Sequence, residues 1–243
     1  MEIKDKRIDD GKLLTGERLQ KNMQSFATFT RKSFTEKIGD IVQLEPFNFE
    51  NIPLLVDVVE PLWCPSVGSS EFKRFNVEYI VRNNIWENDN RFQLMGESEV
   101  EGAGAGGGIL SAAFFARKGD KCRVEEWFAR ESQRFPEEWL KASAMSKTFL
   151  TLMDERTLSL MNDDDIKLSL FISRKPGAGS QILEQACNHL RDEGWKNLYL
   201  WTDCECNWQW YFDHGFTLMK EDIYEPFNSE DEDYKTYIFK RKL

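Results

Sequence analysis

Residues 173–183 read SRKPGAGSQIL, a basic pair followed by Pro-Gly-Ala-Gly and then the start of an apolar helical stripe. A turn built from residues with so little side chain, set where a helix begins, suits an anion. The first amides of a helix have no partner within it and together carry roughly half a positive charge, and glycine removes the Cβ atoms that would hold a phosphate away. Two common phosphate motifs do not fit. Neither this stretch nor EGAGAGGGIL (residues 101–110) ends in the Gly-Lys-Ser/Thr of an ATP-hydrolysing P-loop. Gly177 and Gly179 supply only the first pair of a G-x-G-x-x-G fingerprint, so no nicotinamide cofactor is expected.

The remaining reactive side chains are sparse. Cys64, Cys122, Cys187, Cys204 and Cys206 are odd in number and scattered, which predicts reduced thiols rather than a disulfide framework. Cys204 and Cys206, with His214 nearby, lack Cys-x-x-Cys spacing and a second pair, so no metal site is expected. A Cys–His or Ser–His nucleophile would have to draw on His189 or His214, and both read as surface or packing residues.

The elements around the turn follow from hydrophobic spacing. DIKLSLFIS alternates, with Ile166, Leu168, Leu170 and Ile172 on one face and Lys167, Ser169 and Phe171 on the other, and predicts a strand running into the turn. Ile182, Leu183, Ala186, Cys187 and Leu190 mark one stripe of the helix that follows; Gly194 caps it, and KNLYLWTD is a further strand. Upstream, IVQLEPF reads as a strand and NIPLLVDVVEPLW as a helix with Leu54, Leu55, Val58, Val59 and Leu62 at helical spacing. RFQLMGES and GGGILSAAFFARKG predict a hairpin joined by the glycine run. Residues 119–161, carrying Trp127 and Trp139, read as helices with Pro136 at a start or break. The tail offers FTLMKEDIYEP, the acidic NSEDED loop and the alternating YKTYIFK. The sum is an α/β or α+β domain over residues 38–243, preceded by a helical extension over residues 1–37.

Two motifs carry a resemblance. Arg174, Gly177 and Gly179 form Arg-x-x-Gly-x-Gly between a strand and a helix, and in YFDHGF Tyr211 stands four residues before Gly215-Phe216. With these in order, residues 40–243 resemble the GNAT superfamily of acyl-CoA-dependent N-acyltransferases. The resemblance implies a mixed, mostly antiparallel central sheet flanked by helices, with residues 119–161 as a helical insert. It implies acetyl-CoA as co-substrate and direct attack of a primary amine on the thioester, with no metal. Phe171 and Ile172 would lie on the strand that pairs with the pantetheine arm. Arg174, Lys175, Gly177, Ala178, Gly179 and Ser180 would hold the diphosphate. Tyr211 would protonate the leaving thiolate, and Asp203 and Glu205, where the family's sheet opens, are the candidate bases. Three departures stand out. Only Ser173 separates Ile172 from Arg174, Cys204 occupies the place of the family's asparagine, and Pro176 has no N–H to offer. These departures leave a second reading, a non-catalytic acyl-CoA-binding or regulatory protein, and a third, an interaction module using the tryptophan-bearing insert.

Charge and hydropathy set the surroundings. A formal net charge of -10 works against a nucleic-acid surface, which needs a concentrated positive field. No apolar run approaches the roughly 18 residues of a membrane span. MEIKDKRIDD lacks the apolar core of a secretory signal, so a cytoplasmic protein acting on a small-molecule or peptide amine is expected. The tryptophans of residues 119–161 either cover the cleft or join two copies in a homodimer.

Overall fold

The computed structural model describes residues 43–96 and 108–243. The extension expected over residues 1–37 and most of the glycine run lie outside them. The described residues hold one seven-stranded sheet: β1 (Glu45–Pro46), β2 (Arg91–Gly96), β3 (Gly108–Arg117), β4 (Asp165–Ser173), β5 (Asn197–Asp203), β6 (Thr217–Ile223) and β7 (Lys235–Lys242), in the order β1-β2-β3-β4-β5-β7-β6. Every neighbouring pair is antiparallel except β4 with β5. That parallel pair is joined by a crossover helix, as a parallel connection requires. This is the mixed, mostly antiparallel sheet flanked by helices that the resemblance implies.

Helices cover both faces. On one side lie α1 (Ile52–Trp63), α2 (Ser70–Asn83), α3 (Val124–Glu131) and α4 (Glu137–Leu160). On the other, α5 (Ala178–Asp192) buries Ile182, Leu183, Ala186, Cys187 and Leu190 against Leu198, Leu200, Tyr237 and Phe239, the stripe read from the sequence. The stripe of α1 differs: Ile52, Leu55, Val56 and Val59 are buried, whereas Leu54 and Leu62 face outward. The sequence reading leaves α2 unassigned, although Ser69 caps it by accepting the Phe72 N–H at 3.2 Å. Pro136 stands at the N-cap of α4, at its start rather than in a break.

The alternation expected along β4 does not hold. Phe114 pairs with Leu170 and Phe115 with Leu168, so Ser169 is an extra residue opposite β3. Such a bulge reverses which face each later side chain meets. Ile166 and Leu168 pack beneath α5, but Leu170 and Ile172 cross to the α1 side, and Phe171 turns toward α5. Ser169 anchors the kink by donating its hydroxyl to the carbonyls of Asn84 at 2.9 Å and Phe114 at 3.1 Å.

Beyond the kink β4 also leaves β5. Their ladder consists of Asp165–Asn197, Ile166–Leu198 and Lys167–Tyr199, and no further rung follows. The sheet is therefore closed at the start of these strands and open at their ends. Replacing Ile182→Ala, in a fully buried position of α5, is expected to lower unfolding stability by about 2–5 kcal/mol, read by urea denaturation.

Candidate active site

The turn after β4 is shaped by its own hydrogen bonds. Gly177 caps α5 with φ 84° and ψ -26°, a left-handed conformation that side chains resist. Ser173 Oγ donates to the Lys175 carbonyl at 3.0 Å, and the Ala178 N–H donates to the same carbonyl at 3.1 Å. The Ala178 amide is thus spent within the turn. Among the described residues, no backbone acceptor takes the amides of Lys175, Gly177, Gly179 or Ser180. Gly179 is buried, and a Cβ there would come within 3.1 Å of Ser173 Cβ and 3.3 Å of Phe171 Cζ. A bare position at residue 179 lets the helix start sit directly against the open end of β4. Arg174, Lys175 and Gly177 are exposed around it.

The open end of β4 supplies a strand edge. The Arg174 N–H donates to Leu110 O at 2.8 Å, toward β3, and Ile172 O accepts the Ser111 hydroxyl at 2.6 Å on that same side. By the alternation of a ladder, Phe171 and Ser173 then turn their backbone groups to the edge that β5 has left. Ile172, grouped with Phe171 by the sequence, commits its carbonyl to the β3 side and its side chain to the α1 core.

The short helix α6 (Trp210–Asp213) follows β5 and leans over the opening. Trp210 packs on Phe171 at 5.3 Å between centroids. Tyr211 is half-buried against Phe216 at 5.4 Å and Phe239 at 5.6 Å, and lies 6.5 Å from Phe171. Burial, followed by the nearby Cys206 and Asp203, holds its hydroxyl well above the ordinary tyrosine range, so it keeps its proton. His214, read from the sequence as packing or surface, connects α6 to the turn. Its Nδ1–H donates to Trp210 O at 2.8 Å, which leaves Nε2 to accept the Ser180 hydroxyl at 2.9 Å. The imidazole also stacks on Trp210 at 3.5 Å.

The two acidic candidates separate into different roles. Asp203 is buried, which pushes its carboxyl up, while the Tyr234 hydroxyl, the Cys206 thiol and the Glu205 N–H, 3.1 Å from Oδ1, favour its charged form. Its oxygens are occupied. Glu205 is reached by solvent, yet desolvation by the protein around it, and then the charge of Asp203, push its carboxyl up to about 7. It is poised to exchange a proton near neutrality. Cys204 gives its N–H to Lys235 O at 2.9 Å and packs against the core, so its backbone belongs to the β7 side. Sequence reasoning missed Tyr234, and it read His214 as surface or packing without its bond to Ser180. Tyr234 meets Asp203 only because β7 pairs with β5, a register that leaves no local trace.

Among the described residues, no group of three His, Cys, Asp or Glu is arranged to hold a metal ion, and no helix is long and apolar enough to cross a membrane. A cavity of about 740 Å³ lies elsewhere, lined by Glu87, Asp89, Arg91, Arg117 and Glu193 with charges of both signs.

No protein-family model matches the chain, and no curated protein matches it. Solved structures do. The ribosomal-protein-S18-alanine N-acetyltransferase of Escherichia coli is similar at 12% identity and a TM-score of 0.46, covering 83% of this chain and 93% of that one. Arylalkylamine N-acetyltransferase 2 of Aedes aegypti is similar at 11% identity and 0.47, covering 82% and 98%. The C-terminal condensation domain of Ebony, in complex with beta-alanyl-dopamine, is similar at 8% identity and 0.48, covering 83% and 98%. At these values the likeness is one of outline, and the chemistry of this chain rests on its own turn and parted strands.

Gly177→Ala would place its Cβ in open space, so the cost is that of the left-handed backbone alone, about 1–2 kcal/mol of unfolding stability by urea titration.

Proposed function

We propose that the chain is a GNAT-type N-acyltransferase, moving an acetyl group from acetyl-CoA to a primary amine by direct attack. The observation that carries this reading is the conjunction of a helix start with unpaired amides and a strand edge stripped of its neighbour, side by side. Each fits one part of the cofactor. The amides of Gly177, Gly179 and Ser180, with Arg174 and Lys175 around them, suit a diphosphate. The backbone of Phe171 and Ser173 suits the amides of a pantetheine arm, which can add to the edge as a short strand would. When bound, acetyl-CoA supplies an acyl carbon activated as a thioester.

The chain's own residues divide the proton chemistry. A primary amine attacks only when neutral, so a base must accept its proton, directly or through water. Glu205, with its carboxyl near 7, is that base, and Asp203 holds the Glu205 amide at 3.1 Å. Tyr211, its hydroxyl kept protonated by burial, donates the proton that a departing thiolate requires. Trp210 and Phe171 narrow the opening between them and limit water beside the reacting groups.

The test is stepwise. Calorimetric titration with acetyl-CoA is expected to show binding, and free-thiol release across a panel of amines to show turnover. Binding without release on any amine would favour the non-catalytic acyl-CoA-binding reading, and no binding would sink both. For the active pairing, kcat/KM is expected to rise with pH through about 7 as Glu205 loses its proton. Glu205→Gln should abolish that limb and cost about 10²- to 10⁴-fold. Tyr211→Phe should reduce kcat by more than about tenfold; a smaller loss removes it from proton donation.

A further inference from the structure

A buried ion pair sits at the point where β4 and β5 part, and it joins both strands to α4. Lys167 forms the last rung of the ladder, paired with Tyr199. Its side chain is fully buried, its ammonium bonds Asp154 Oδ1, and it lies 4.7 Å from the centre of the Trp86 ring. Trp201, two residues beyond the last rung on β5, donates its indole N–H to the same Asp154 oxygen at 2.8 Å. One carboxylate oxygen of α4 therefore receives a donor from each strand where the backbone stops joining them.

We propose that Asp154, Lys167 and Trp201 form a clasp that sets the width of the slot between β4 and β5, making Asp154 a positioning residue for the acyl-CoA arm. Past Tyr199 no hydrogen bond joins β4 to β5, and each is held by its outer neighbour, β3 or β7, so side chains between them can set their separation. An apolar contact would permit sliding, whereas a buried charge with a shared acceptor tolerates little displacement before a polar group is left unpaired. Stability does not account for such a pair, because replacing buried partners with apolar residues of like volume is often neutral or stabilising. Geometry does account for it: the three groups tie the open arm of β5 to the closed root of β4 through a long helix. The inference rests on the reading of the slot as a cofactor site.

The test separates position from stability. In the 243-residue chain, Lys167→Met with Asp154→Leu removes both charges together, and Trp201→Phe removes only the indole donor. The double variant is expected to keep or raise the thermal midpoint while its Kd for acetyl-CoA weakens by about tenfold or more. Its crystal structure should show the Phe171 and Asp203 Cα separation changed by roughly 1 Å, a displacement large enough to matter in a reacting site. A folded double variant with wild-type Kd and wild-type separation overturns the clasp. Should the double variant fail to fold, Trp201→Phe decides on the same two readouts. If wild-type protein does not bind acetyl-CoA, the cofactor reading fails, and the clasp is judged on the strand separation alone.

Discussion

The structure depends on an interaction that is withheld: after three rungs, β4 and β5 stop bonding to each other. A strand edge with free amides and carbonyls in the middle of a sheet is costly, since buried backbone groups must find partners. Several features converge on that opening. The extra residue Ser169 turns β4 and brings Phe171 to the α5 face. The glycine turn seats a helix start against the end of the same strand, and α6 lays Trp210 and Tyr211 over the gap from the β5 side. Lys167, Asp154 and Trp201 close the root.

The electrostatics suit proton transfer at the same place. Burial raises the cost of ionising both Asp203 and Glu205, and the charge of Asp203 adds to it at Glu205. Hydrogen bonds from Tyr234 and Cys206 offset part of that cost at Asp203, whereas the Glu205 carboxyl is pushed up to about 7. Burial, and then the same negative surroundings, keep the Tyr211 hydroxyl protonated.

Local patterns made much of this legible. The turn at residues 173–180, the stripe of α5 and the strands around them follow from glycine placement and periodicity, because these are decided within a dozen residues. The fold class followed from the strand, turn, helix, strand order. The faces of β4 did not, since a bulge is set by pairing with β3 and strict alternation conceals it. α2 was missed although its Ser69 cap stands in the sequence. Glu205 and Tyr211 could be nominated by position, but not the long-range contacts around them: Tyr234, just before β7, reaches Asp203, and Ser180 meets His214 across 34 residues. The clasp was hidden for the same reason. Lys167 read only as a member of the second face of an alternating strand, and the packing of α4 gives it Asp154.

The central claim is that the bare amides of the turn and the open edge of β4 together grip acyl-CoA. The most direct measurement is an amide nitrogen–proton correlation spectrum of the chain titrated with acetyl-CoA. The account predicts saturable shifts at Gly177, Gly179 and Ser180 together with Phe171 or Ser173, while residues of the β1 edge stay still. A titration in which those amides do not move, or in which the shifts gather at another surface, would contradict it.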